Sequence, residues 1–219
     1  MLQEHGWEAH ASSGYVTGLP GRHARRPLLL LCAATEAQPV QEAAEHPAGA
    51  KPCVSRVKGA MHARGHDADM AMLLCAARVL GEEAPDAPVA FAFGPGLDEA
   101  EASRLADRLG AELCLLSRVS PEVPSGGFRV RAFGEECRGT GASAFVRQVL
   151  ARELGAMLPE EQEGMPTQCA VLVTGMANEA RGCGAPLGSP RFEIDEDALV
   201  EGACAWAAVA LAWAENAGR

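Results

Sequence analysis

The chain has 219 residues, enough for a domain that buries about 70% of the surface its unfolded form exposes. With 48% hydrophobic and 22% charged residues it is neither disordered, nor collagen-like, nor a coiled coil. A net charge of −10, from 19 basic and 29 acidic residues, excludes a nucleic-acid partner, which requires a basic face.

Taken in chain order, the apolar run 28–31 after Pro27 predicts a strand covered on both faces. Residues 67–80 carry Met70, Leu73, Leu74 and Ala77 at helical spacing and stop at Gly81. A second buried strand is predicted at 89–93, bounded by Pro88 and the Gly94-Pro95-Gly96 breaker. A helix follows at 98–109, with an acidic first turn that suits the helix dipole and a stop at Gly110. Strands are predicted at 112–116 and 128–133, an amphipathic helix at 143–157, and a fifth strand at 169–174. The last helix, 197–214, follows Asp195 as its expected cap and sets Trp206 and Trp213 on one face. Alternating strands and helices predict one α/β domain over 1–219, a three-layer sandwich with a mostly parallel central sheet.

The longest unbroken apolar run, 203–214, has twelve residues and falls short of the roughly 18–20 of a membrane span, so it reads as a buried helix. Residues Met1 to His5 lack the apolar core of a secretory signal. Eight cysteines are scattered with no two three residues apart, the pattern of buried free thiols in a reducing compartment. The expected setting is the cytoplasm, with no membrane partner.

The segment from Gly59 to Leu74, Gly-Ala-Met-His-Ala-Arg-Gly-His-Asp-Ala-Asp-Met-Ala-Met-Leu-Leu, carries the most information. It resembles the metal-binding motif Met-His-Ala-Cys-Gly-His-Asp-Gly-His of the aminoacylase/carboxypeptidase-type zinc metallopeptidases, in their N-acyl-amino-acid amidohydrolase (hippurate hydrolase-like) branch. The stretch from Ala33 to Glu42 is similar to that branch's Ala-Asp-Met-Asp-Ala-Leu-Pro-Ile-Gln-Glu loop. The stretch from Ser189 to Leu199 is similar to its Ser-Pro-Arg-Phe-Asp-Ile-Asp-Glu-Asp-Ala-Leu segment. Three matches in the right order imply the fold of that catalytic domain. Family members insert a lid and dimerisation domain where this chain has only 135–166, so the lid is expected to be absent.

The family's enzymes hold two metal ions that lower the pKa of a bound water while a glutamate takes its proton. Carried over residue by residue, the Cys ligand is Arg64, the adjacent His ligand is His66, the catalytic glutamate is Leu97 and the metal-binding glutamate is Asp98. One later histidine is Arg118 and the last is Gly188, and no histidine follows His66. Leucine offers no general base, and an arginine that stays protonated does not coordinate a metal. His66 and Asp98 are the only inherited metal positions, weak if they act at all. His62, Arg64, Asp67, Asp69 and Arg118 are the other candidate pocket residues. Arg64 is expected to pair with Asp98 or Asp67, with Arg118 close by, replacing the metals with fixed positive charge and leaving donors for a small carboxylate ligand.

Three readings stand. The first is a degenerate, metal-free member that scaffolds or binds a protein partner or small carboxylate ligand, with no catalytic residue. The second is an amidohydrolase of N-acyl amino acids or related small amides, with one zinc or manganese rebuilt on His62, His66, Asp67, Asp69 and Asp98. The third is a decayed remnant. A thiol nucleophile is a lesser idea, resting on Cys183 beside Arg181, or on Cys137.

Overall fold

The computed structural model describes residues 2–5, 7–12, 15–19, 28–46, 49–51, 53–136, 141–156, 158 and 167–217. Its centre is a seven-stranded sheet in the order β1-β2-β6-β3-β7-β9-β8. The four central strands are β6 (Val89–Gly94), β3 (Leu28–Ala34), β7 (Ala111–Pro124) and β9 (Thr167–Ala177), and they run parallel. β3 and β6 are apolar on both faces, as their uninterrupted runs require, because helices cover both sides. The antiparallel β8 (Phe128–Glu136) closes one edge against β9.

The other edge is a hairpin that the sequence reading did not include, β1 (Glu8–Ser12) and β2 (Tyr15–Leu19), with β2 antiparallel to β6. Trp7 anchors it, stacking edge-on against Phe91 with ring centroids 5.0 Å apart and donating its indole N–H to the Ala77 carbonyl. A separate two-stranded ribbon, β4 (Glu45–His46) and β5 (Gly49–Ala50), lies in the loop before the first long helix.

On one face of the sheet pack α1 (His66–Glu83), α3 (Ala142–Leu154) and α4 (Asp197–Ala217), around a core that includes Leu29, Leu31, Phe91, Leu115, Leu172 and Trp206. On the other lies α2 (Glu99–Leu109), packing its own Leu105 over Leu30, Cys32, Ala92 and Leu116. This is the expected three-layer α/β arrangement. The N-terminal part of α4 meets α1 closely because Gly202 leaves room for the Met72 sulfur, which would sit 2.0 Å from a β-carbon there. α4 is apolar and long enough to cross a membrane by length and composition, but 56% of that stretch is buried within the domain. Its inner face carries Trp206 into the core and sets Trp213 edge-on against Phe145 of α3.

Within 135–166, β8 runs on to Glu136 and α3 covers the sheet beside α4. Residues 137–140, 157 and 159–166 lie outside the described residues, and Cys137 with them. The cysteines depart in part from the expectation of burial. All seven described are free, with Cys32, Cys114, Cys169 and Cys183 buried but Cys53, Cys75 and Cys204 exposed.

Candidate functional site

In parallel sheets, binding crevices form beyond the carboxyl ends of the strands, and the inherited positions gather there. β3 ends at Ala34 and leads into Glu36, β6 ends at Gly94 and leads into Leu97 and Asp98, and β7 passes through Ser117 and Arg118. α1 starts above them at His66. Gly65 makes that start possible: its φ of 71° is the left-handed conformation glycine favours, and a β-carbon would come within 2.2 Å of Val119 Cγ2.

His66 is buried, and its Nδ1–H donates to the Glu36 carbonyl at 3.0 Å, with Glu36 Oε1 at 3.7 Å. Burial pushes the imidazole pKa below its ordinary value, helped by the nearby positive charge of Arg118 and opposed by Glu36. Burial works to raise the pKa of Glu36, but backbone donors, the Gly96 N–H among them at 3.0 Å, together with His66 and Arg118, hold it below the usual range. Glu36 was part of the matched loop but carried no site role in the sequence reading.

Asp69 is fully buried one turn into α1. Its Oδ1 accepts from the Ser117 hydroxyl at 2.8 Å, and its buried Oδ2 has no hydrogen-bond partner. Burial pushes its pKa up to about 7, against the pull of Arg118 and Ser117. Arg118 is half-buried and held in place, donating from Nη1 to the Ser117 carbonyl at 2.9 Å and from Nη2 to the Leu97 carbonyl at 2.8 Å. The Leu97 side chain is fully buried with Leu30, Cys32, Ala92 and Leu105, in the core beneath α2. Asp98 caps α2, its Oδ1 accepting the Glu101 N–H at 2.8 Å.

The expected pairing of Arg64 does not occur. Its backbone N–H donates to Gln38 Oε1, while the side chain is exposed and forms no ion pair among the described residues. Asp67 instead faces His62, at 3.8 Å, and accepts the Ala68 N–H. Arg64 sits in the exposed turn before Gly65, so its side chain is in solvent, while Arg118, on a strand, is half-buried against the Ser117 and Leu97 carbonyls.

Beside His62 and Asp67 lies a cavity of about 60 Å³, also lined by Glu42 and Glu193. Those two glutamates flank Lys51, whose fully buried ammonium lies 3.0 Å from Glu42 Oε1 and 3.1 Å from Glu193 Oε2, and donates to the Phe192 carbonyl at 2.8 Å. This charged staple joins the loop before α1 to the loop before α4. Among the described residues, no three His, Cys, Asp or Glu side chains converge so as to share an ion. Cys183 is buried and its thiol pKa is pushed up to about 11, chiefly by burial, with Asp195 and Glu193 adding. Arg181, which was expected to favour its thiolate, pairs with Asp195 at 3.0 Å and Asp197 at 2.6 Å.

The fold has solved counterparts. The YXEP protein of Bacillus subtilis, described as a dinuclear metal binding peptidase from the M20 family, superposes with a TM-score of 0.72 at 15% identity, covering 98% of this chain and 89% of that one. The LapA aminopeptidase of Legionella pneumophila gives 0.61 at 9% identity, over 97% of this chain and 60% of that one. A TET aminopeptidase from a marine-sediment Thaumarchaeota archaeon gives 0.58 at 10% identity, over 99% and 90%. At these identities the likeness is one of fold. The sequence itself matches peptidase family M20/M25/M40 over residues 30–168, most of the chain, and the protein belongs to that family.

Proposed function

We propose that this family member binds a small carboxylate-bearing ligand, or a protein partner presenting one, and does not hydrolyse it. The observation that carries the reading is the contact between Arg118 and Leu97. At the position of the catalytic glutamate the side chain is packed into the core, and its carbonyl holds a guanidinium that stands where a ligand histidine would. The donor set does not fit two metal ions. Asp98 is engaged as a helix cap and Asp69 is buried on Ser117. Arg118 uses two of its five N–H donors on carbonyls, and the others suit a carboxylate in a bidentate geometry. Free thiols at every described cysteine fit a reducing, cytoplasmic setting.

The second reading, one zinc or manganese on a rebuilt site, draws support from His62 and Asp67 standing side by side. Titration with benzoylglycine distinguishes the two. The proposal expects saturable binding without turnover, weakened about tenfold or more in Arg118→Met, roughly the worth of a charge-assisted hydrogen bond. Turnover that depends on added metal, or binding indifferent to Arg118, would overturn it.

A further inference from the structure

On the far side of α1 and α4 from the strand ends, the molecule carries an apolar groove of about 680 Å³. The outer face of α4 lines it from Leu199 to Glu215 with Val200, Ala203, Ala207 and Leu211, α1 adds Ala71, Cys75 and Val79, and the end of α3 adds Arg152 to Leu154. At 1.5 Å per residue the lined stretch of α4 is about 24 Å long. Val200 is 67% exposed and Leu154 40%, so large aliphatic groups face solvent where this helix would otherwise be covered.

The groove is electrostatically polarised. The C-terminal ends of α1 and α4 lie together, around a pocket lined by residues 84–88 with Ala214 and Ala217. Among the described residues neither helix has a basic residue in its last turn to meet its negative dipole end. Glu83 and Glu215 add charge there, and neither forms an ion pair among the described residues, whereas Glu82 is matched by Arg78 at 3.1 Å. At the opposite end Arg152 is matched by Glu153. A second copy of the chain would set one concave groove against another and leave the space unfilled.

We propose that this groove receives an amphipathic helix of a partner protein, antiparallel to α4, with apolar residues at i, i+3/i+4 and i+7 and a basic N-terminal turn. The partner's positive helix start and its lysines or arginines meet the negative ends of α1 and α4, while its apolar stripe covers the alanine-lined face between α1 and α3.

Two thiols in the groove, Cys75 and Cys204, report occupancy directly. The probe is a 16-residue alanine–leucine amphipathic peptide with three lysines in its first turn, compared with the same peptide carrying three glutamates there. Fluorescence anisotropy on the full chain is expected to favour the lysine peptide by about tenfold at low salt. The lysine peptide should slow maleimide labelling of Cys75 and Cys204 but not of Cys53. The double variant Glu83→Lys, Glu215→Lys, both surface changes, should reverse the preference between peptides. Equal binding of the two peptides, or no protection of the two thiols, would overturn the proposal. So would a chain that is dimeric by light scattering with both thiols already protected, or one that binds phosphatidylcholine vesicles through this face.

Discussion

The Arg118 guanidinium donates to the Leu97 carbonyl at 2.8 Å, joining the positions that in the family's resemblance belong to a ligand histidine and the catalytic glutamate. Neither position is expected to be restored alone without cost. Returning a carboxylate to 97 would bury it among Leu30, Ala92 and Leu105, and removing Arg118 would leave Glu36 and Asp69 without their shared positive neighbour.

Leu97→Glu is therefore expected to destabilise the fold by about 3 kcal/mol or more, because an unpaired carboxylate enters an apolar core. Urea melts of the variant and of Leu97→Met, a nearly volume-conserving change expected to cost under about 1.5 kcal/mol, provide the check. Equal stability of Leu97→Glu and the parent would show that the side chain faces the crevice.

Asp69 gives the protein a pH dependence of predictable sign. Its pKa is raised from 3.8 to about 7 on folding, so between these values the folded state holds a proton that the unfolded state has released. That stabilisation is complete below the unfolded value and is lost as pH rises through the folded one. Between pH 5.5 and 8 the loss should be about 2 kcal/mol. Burial lowers the pKa of His66 and makes it act in the opposite direction, so the test is a difference: Asp69→Asn should remove the Asp69 part of the slope and leave the His66 part. Parallel profiles for the two proteins would contradict the assignment.

Lys51 is a buried cation that fastens the loop before α1 to the loop before α4, through Glu42, Glu193 and the Phe192 carbonyl. Lys51→Met keeps the length of the chain but leaves two carboxylates facing each other. A loss of about 3–5 kcal/mol is expected, the penalty for removing one partner of a buried charge network. The triple change Lys51→Met, Glu42→Gln, Glu193→Gln should recover much of it, measured by thermal and denaturant melts. A loss under about 1 kcal/mol in the single variant would mean that the staple behaves as a surface ion pair.

The strands and helices of the core were legible because apolar runs bounded by proline and glycine mark parallel strands, and Asp98 and Gly110 mark the ends of α2; α1, by contrast, runs through Gly81, the expected stop, to Glu83, since a single glycine is tolerated inside a helix packed on the core. The apolar pattern predicts a strand ending at Leu116, whereas β7 runs to Pro124, because Ser117, Arg118 and Ser120 break that pattern within the strand. The hairpin β1–β2 was missed because its ten residues are short, mixed in polarity and stabilised by pairing with β6 and by Trp7 rather than by any pattern of their own. At the site, the family resemblance implied roles for His66, Asp98 and Arg118 but could not give the direction of their side chains. Arg64 points outward from a turn, Asp98 turns back to its own helix, and Glu36 enters through a loop whose path only the fold determines. Lys51 carried no signal, since a single lysine acquires its meaning only from two glutamates 9 residues before it and 142 after it.

The most direct test of the metal-free reading is elemental analysis of untagged protein, incubated with excess zinc or manganese and passed through a desalting column. It is to be paired with an assay for hydrolysis of benzoylglycine. The account predicts well under one ion per chain and no turnover above buffer, in the parent and in His66→Ala alike. Two ions per chain, with metal-dependent hydrolysis that disappears in His66→Ala, would contradict it.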